Sequence, residues 1–450
     1  MKFLFDLSDS CHSRQQSGIP RLARNLQAAC KGDKEIVLYD RYWRRWRRAD
    51  ERERRWADPS YHVAGEADEV RGWTAWQKAR GRLGRRLPLR ASPFTGRTAL
   101  VVPELYFPSE GRNFAALRNL CGGPLVAIFH DAIALRYPQW SSAEIARNFP
   151  AYAEDLLHFD GVAAVSASSA RELREFWAAR GWRNPPPVAV ITPGSDALPA
   201  EKASTGEGSN PPLILMVSTV EARKNHRGVL AAARELWEAG HRFRLVFVGG
   251  CVPEMRAEWE DALAAARAPE GCCEYRGRVP RAELEQLYRE CLFTFYPSFW
   301  EGYGLPVMES LQHGKPCLCS ERGGLVERAA GGGCLVADPE DPEDLARAWR
   351  RLLMEADLRA RLRGEARARR FRSWSEYADD LKEWICDLPV RRKGALSTKQ
   401  GGVADFHDEK AFRKLLLREI GGLRERLDSI RTASARFAEE AVVPDPPSPL

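Results

Sequence analysis

The feature that most constrains this chain is a rhythm: a short apolar run, a turn, then an amphipathic segment, repeated many times. KFLFDL (2–7), EIVLYD (35–40), TALVVP (98–103), LVAIFH (125–130), GVAAVS (161–166) and PVAVIT (187–192) are brief and apolar. Helical patterns such as SARELREFWAAR (169–180) fall between them. Strands of this kind, alternating with helices, predict a parallel sheet covered on both faces. At 199–212, PAEKASTGEGSNPP loses its apolar residues and gathers Gly, Ser and Pro, the composition of a linker. The rhythm then restarts with LILMVS (213–218), FRLVFVGG (243–250), CCEYRG (272–277), LFTFYPS (292–298) and KPCLCS (315–320). The expected fold is therefore α/β, with two Rossmann-like, doubly wound domains in series. They face a central cleft between their strand C-terminal edges, where open α/β sheets bind ligands.

Composition narrows the class. A chain of 450 residues with 44% hydrophobic side chains has enough apolar surface for two or three cores, which excludes a disordered protein. A net charge of +7 favours anionic ligands such as phosphates, or an acidic membrane surface, without demanding nucleic acid. The first apolar stretch meets Asp6 and Asp9 too soon for a signal peptide, and no apolar run is long enough to span a bilayer. A cytoplasmic location follows as an expectation. The 11 cysteines include neighbours Cys272 and Cys273, and Cys317 and Cys319 one residue apart, but no Cys-x-x-Cys. They are expected to be buried, reduced thiols, with no metal site among them.

The most informative stretch is FWEGYGLPVMESLQHGKPCLCS (299–320). A strand precedes it, and a helix begun by VMESLQHG follows the glycine-rich turn. A helix N-terminus with unpaired N–H groups suits a phosphate or pyrophosphate. Gly302 and Gly304 lack Cβ, so their backbone can approach a ligand closely. Glu309, expected in the first helical turn, could accept the vicinal hydroxyls of a ribose. Glu301, before the turn, would lie near whatever is attached beyond the phosphates. An anionic diphosphate also needs cations. Arg223 and Lys224 stand at the strand-to-helix turn of VSTVEARKNHRGVL (217–230) and would reach the same cleft edge. With these side chains present no divalent metal or other cofactor is expected, and the ligand is a nucleoside-diphosphate sugar. Taken alone, Glu301 and Glu309 could equally be surface carboxylates or a capping pair.

FWEGYGLPVMES resembles the Glu-x7-Glu signature of retaining family 4 glycosyltransferases, and VEARKNH (220–226) resembles their Glu-x-Arg-Lys-Asn motif. FHDAIALRYP (129–138) is similar to the His-Asp segment of the mannosyltransferase-like members, and SGIPRLARNL (17–26) to their N-terminal Gly-Ile-x-Arg segment. RGRVPRAELEQLYREC (276–291) fits the stretch that links them, and the resemblance runs over about residues 1–387. It implies a GT-B fold. Residues 1–198 would bind the acceptor, 213–372 would bind the nucleotide sugar, and a helix at 373–387 would cross back to the first domain. In the implied site Arg223 and Lys224 stabilise the leaving diphosphate, Glu309 holds the ribose, and Glu301 contacts the donor sugar. Backbone groups of Gly302, Tyr303, Gly304 and Leu305 would hold sugar hydroxyls and phosphate. His130, with Asp131 beside it, would reach the reactive face, Gly18 would let the first loop approach the diphosphate, and Arg21 would add a cation. The implied activity is transfer of a mannose- or rhamnose-like hexose, with retention, to a glycan or lipid-linked acceptor of a surface polysaccharide. The chain departs from the family where Ala222 replaces a frequent Pro, and in the long, unusual stretch 41–97.

Other readings remain open on the residues alone. RYWRRWRRADERERRW (41–56) could touch the inner face of a membrane peripherally, or could be a helix whose Trp43, Trp46 and Trp56 pack inward. Its acidic residues argue against nucleic acid. Phe412, Leu416, Ile420, Leu423, Leu427 and Ile430 form a short heptad-like stripe within 411–437, which suits either self-association or docking on the same chain. Linker sequence at 388–402 precedes it, and a tail expected to be disordered follows. Competing functions on the same fold are a catalytically inactive scaffold for glycan-assembly partners, a sugar-nucleotide epimerase, or a phosphorylase. The last would need a pyridoxal-phosphate lysine deep in the second domain.

Overall fold

A computed structural model describes residues 1–13, 18–60, 73–84, 92–118, 120–195, 206–389 and 398–399. The stripe at 411–437, the tail, and the first half of the linker at 199–212 lie outside the described residues.

Eight strands belong to the first half: β1 (Lys2–Asp6), β2 (Lys34–Asp40), β3 (Arg45–Arg48), β4 (Thr98–Val102), β5 (Leu125–Phe129), β6 (Gly161–Ala164), the two-residue β7 (Trp182–Arg183) and β8 (Val188–Val190). All but β7 form a seven-stranded sheet of order β3-β2-β1-β4-β5-β6-β8, parallel except for the antiparallel edge pair β2–β3. The helices of this lobe are α1 (Gly18–Ala29), α2 (Glu51–Trp56), α3 (Ala75–Gly84), α4 (Phe114–Leu117), α5 (Ile133–Arg136), α6 (Ala143–Asp155) and α7 (Ala167–Ala179). Alternate residues of each strand serve opposite faces: Phe3 and Phe5 join one core while Leu4 joins the other. That period of two, apolar on both sides, is why the strands read as unbroken apolar runs.

The second half repeats the plan. Its strands are β9 (Leu213–Val217), β10 (Arg244–Val248), β11 (Cys273–Tyr275), β12 (Phe293–Tyr296), β13 (Cys317–Ser320) and β14 (Cys334–Ala337). They form an all-parallel sheet of order β11-β10-β9-β12-β13-β14. Its helices are α8 (His226–Glu238), α9 (Arg256–Ala265), α10 (Arg281–Glu290), α11 (Leu305–Gln312), α12 (Gly324–Ala329), α13 (Pro342–Met354) and α14 (Ala356–Ala368). The strand order reverses between β9 and β12, so the loops after these two strands diverge and open a crevice at their C-terminal ends. Both signature segments follow those two strands. The last helix, α15 (Trp374–Asp387), starts with a capping box of Ser373 and Glu376 and returns to the first lobe. There Tyr377, Leu381 and Ile385 pack with Leu22 and Leu26 of α1.

Segment 41–56 is not one helix. Asp40 accepts the backbone N–H of Tyr42 (3.1 Å) and Trp43 (2.9 Å), which turns the chain back so that β3 pairs with β2. Arg47 is clamped by Asp40 and by the buried Glu53, whose carboxylate takes both guanidinium nitrogens at 2.6 Å. Trp46 packs against Phe94 and Phe114, and Trp56 is buried. Two of the three tryptophans therefore serve the lobe's own packing. Among the described residues no helix is long and apolar enough to cross a membrane.

The lobes are held together by specific contacts. Glu327, on α12, accepts the N–H groups of Ala167 (3.1 Å) and Ser168 (2.9 Å) at the start of α7, which places a carboxylate on a helix N-terminus of the other lobe. Trp140 stacks on Phe299, and Tyr137 meets Trp300, with ring centroids 5.3 and 5.4 Å apart. Replacing Glu327 with Ala should lower stability by about 0.5–2 kcal/mol, the worth of a helix cap. Denaturant unfolding followed by tryptophan fluorescence measures this, and small-angle scattering should register a wider separation of the lobes.

Candidate active site

The second sheet's reversal point gathers the charged residues. Arg223 and Lys224 sit in a single 3₁₀ turn, Ala222–Lys224, between β9 and α8. Asn225 follows in the left-handed conformation and caps α8 through Gly228 N–H, so both cations are held at the strand end. Across the crevice, the segment after β12 is tied back by Phe299 N–H donating to the Arg223 carbonyl (2.8 Å). Glu301 lies between the two cations: Arg223 donates to one carboxylate oxygen at 2.7 Å and Lys224 to the other. Burial alone would push the Glu301 carboxyl up, but Arg223 and Lys224 outweigh it and bring it down to about 2. Arg223 also pairs with Glu221 at 2.7 Å.

Glu309 sits in the second turn of α11 rather than the first, because Gly304, at φ +88°, starts the helix only at Leu305. Its carboxylate meets Arg21 of α1, from the first lobe, and accepts the Tyr288 hydroxyl at 3.3 Å. His130 ends β5. Its Nε2 lies 2.7 Å from the Pro103 carbonyl, which can only accept, so Nε2 carries the proton and Nδ1 keeps its lone pair. Burial lowers its pKa, so it is a neutral imidazole at physiological pH. Asp131 accepts Ile133 N–H at 3.0 Å. His130, Asp131, Glu221 and Arg223 line the mouth of a cavity of about 640 Å³ whose wall is largely apolar, with Trp140, Phe149 and Met255 among its residues.

The glycines also have a reason within the protein itself. A Cβ on Gly302 would meet the His130 carbonyl oxygen at 2.2 Å, and one on Gly304 would meet Leu325 at 2.5 Å. The approach of the two lobes requires the first, and the left-handed φ of +88° favours glycine at the second. Tyr303 does not offer its side chain to the cleft. It is buried, donates its hydroxyl to the Pro193 carbonyl (2.9 Å) and lies under the Arg328 guanidinium, so only its backbone is left for a ligand. Leu305 packs against the same core. Gly18 opens α1 at φ +61° with open space around it. Thus Arg223, Lys224 and Glu301 form one cluster, with His130 and Asp131 meeting Gly302 across the cleft. Arg21 with Glu309 forms a second pair. Sequence reasoning missed Glu221, although it lies inside the quoted VEARKNH motif, and the aromatic pairs of Tyr137 and Trp140 with Trp300 and Phe299. The aromatics carry no spacing signal, because their partners are some 160 positions away in the chain.

Residues 199–369 match the model of glycosyl transferases group 1. The Escherichia coli O-antigen chain mannosyltransferase B is 37% identical over 163 residues, 36% of this chain and 42% of that protein. The E. coli serotype-specific mannosyltransferase WbdA is 28% identical over 325 residues, 66% of this chain and 36% of the relative. The chain thus spans well under half the length of these curated relatives. The crystal structure of Anabaena HepE in complex with UDP and glucose superposes with a TM-score of 0.59 at 16% identity, covering 86% of this chain and all of that one. Residues 199–369 and the lobe before them therefore share the GT-B fold.

Two expectations follow. Gly302→Ala should force the lobes apart at the His130 carbonyl, costing about 1–3 kcal/mol as an overpacking change, read as a lower melting temperature. The Glu301 ion pairs contribute stability that is fully present above the ordinary carboxyl value of 4.5 and lost as pH falls through about 2. Denaturant midpoints of wild type and Glu301→Gln should accordingly differ at neutral pH and converge in strong acid.

Proposed function

We propose that this chain is a retaining, metal-independent glycosyltransferase. It moves a mannose- or rhamnose-like hexose from a nucleoside-diphosphate sugar to a glycan or lipid-linked acceptor in surface polysaccharide synthesis. The observation that carries the reading is the Glu301 carboxylate held between Arg223 and Lys224 at the crevice where the second sheet reverses. An anion already occupies the two cations, and a diphosphate is a stronger anion that can take its place.

On binding, the diphosphate draws Arg223 and Lys224 to its oxygens and frees Glu301 to accept hydroxyls of the donor sugar. Glu309, steadied by Tyr288, exchanges Arg21 for the ribose hydroxyls. The α11 N-terminus, with backbone N–H groups from Gly302 to Leu305, faces the phosphates. As the sugar–phosphate bond breaks, negative charge grows on the leaving oxygen, and cations already in place stabilise it without reorganisation. Glu301 accepts hydrogen bonds from the sugar hydroxyls and is not a covalent nucleophile; the incoming hydroxyl attacks from the face that the departing phosphate leaves and gives its proton to that phosphate. His130 reaches that face as a neutral imidazole. The acceptor enters through the largely apolar cavity beside His130, and a lipid-linked acceptor would bring the chain to the inner face of a membrane. The mannosyltransferase relatives support a mannose-like donor.

Calorimetric titration across GDP-, UDP- and dTDP-sugars tests the reading, with nucleoside diphosphate release as the turnover assay. One base should be preferred. Arg223→Ala or Lys224→Ala should lower kcat about a hundredfold to a thousandfold, the cost of losing one preorganised charge at the transition state. Glu309→Ala should weaken nucleotide binding about tenfold to a hundredfold, the worth of hydrogen bonds to a charged group. Unchanged nucleotide affinity in Glu309→Ala, with no diphosphate released from any donor, would turn the assignment toward an inactive scaffold.

A further inference from the structure

Cys317 and Cys319 are two apart on β13 and both are fully buried. Cys317 lies directly beside Cys334 of the parallel neighbour β14. The three sulfurs all lie within 4.8 Å of one another. Buried cysteines often act only as small hydrophobes, and Cys11, Cys30, Cys121 and Cys291 are buried in that way, on other elements. Three sulfurs converging from two strands are a different arrangement. Among the described residues no other trio of His, Cys, Asp or Glu draws together in this manner.

We infer that Cys317, Cys319 and Cys334 form a three-sulfur site for one soft, thiophilic cation of the copper(I) or cadmium class. With metal–sulfur bonds of about 2.3 Å, the sulfurs of a trigonal site stand about 4 Å apart, so modest rotamer adjustment within the observed spacing closes the site. The donor set is sulfur alone, which selects soft ions and rejects magnesium or calcium. On binding, each S–H becomes an S–metal bond and its proton passes to solvent, which leaves three thiolates around the ion. Arg369 lies within electrostatic reach of Cys334 and offsets that negative charge. It is fixed there by hydrogen bonds to the carbonyls of Arg328 (2.7 Å) and Gly332 (2.9 Å). Entry is from the side of β14, the edge strand, where Cys334 is only half-buried.

The site is separate from the sugar-transfer cleft but is connected to it. β13 runs into residues 321–324, and Gly324 N–H donates to the Glu301 carbonyl at 2.7 Å. An ion that staples β13 to β14 thus stiffens the strand that supports the Glu301 turn.

The test is anaerobic titration of the reduced full chain with cadmium(II), followed by the ultraviolet sulfur-to-metal charge-transfer band and by proton release, with magnesium(II) as control. One equivalent should bind with the band and raise the melting temperature, while magnesium should give neither. Cys334→Ser, at the half-buried edge, should weaken cadmium binding by more than the roughly 10–100-fold that loss of an outer-shell partner costs. Cys319→Val, which keeps the core apolar, should do the same, and Cys272→Ser should bind as wild type does. Absence of the band in a folded wild-type chain overturns the inference. So does Cys334→Ser binding as tightly as wild type, or Cys272→Ser weakening binding equally.

Discussion

A single carboxylate shared by two cations organises this molecule's centre. Glu301 answers both Arg223 and Lys224 at a position where two parallel strands feed loops in opposite directions. Three partly buried charges would repel water poorly and destabilise the fold if any one were left alone. Together they are satisfied, and they pin the segment after β12 against the turn after β9. The neutral His130 opposite adds a lone pair without adding a third cation to the site.

Interlobe contacts depend on that centre and extend it. Gly302, next to Glu301, admits the His130 carbonyl where any side chain would collide. Tyr303 then anchors in the core shared with α1 and α15, through Pro193. Phe299 and Trp300, just before Glu301, meet Trp140 and Tyr137 of the first lobe. One segment of about five residues therefore carries the Glu301 carboxylate, the close packing of the two lobes and the aromatic contact between them. Glu327, on the helix after β13, fastens the opposite side through the α7 N-terminus.

Much of this was legible in the chain. The strands betray themselves because burial on both faces leaves no polar alternation, and the helix N-terminus after Gly304 is announced by Gly and Pro chemistry. Arg223, Lys224, Glu301 and Glu309 stood out because loops after parallel strands must carry the ligand chemistry. Other features were illegible for physical reasons. Segment 41–56 left a membrane-surface element and a packed helix both open, because its Arg and Trp residues have no period of two. Its turn is decided by Asp40, which accepts N–H groups from within the turn. The place of the Tyr303 ring was not legible, because nothing in its neighbours shows that it would turn toward the other lobe and reach the Pro193 carbonyl. The three cysteines had no spacing signal, because β13 and β14 bring them together only through strand pairing.

By itself the sequence determined the repeated strand and helix pattern and the residue types at the strand ends. Local propensity, turn chemistry and apolar periodicity act over a few residues, so they are written in the order of the chain. Tertiary structure alone decided which partners these residues found: Glu301 with two cations some 77 residues away, Glu309 with Arg21 of the other lobe, Gly302 against His130, and Cys334 beside Cys317. Those pairings depend on strand order and on the approach of two lobes. Both are set by how whole sheets bury their faces, which no short window of sequence contains.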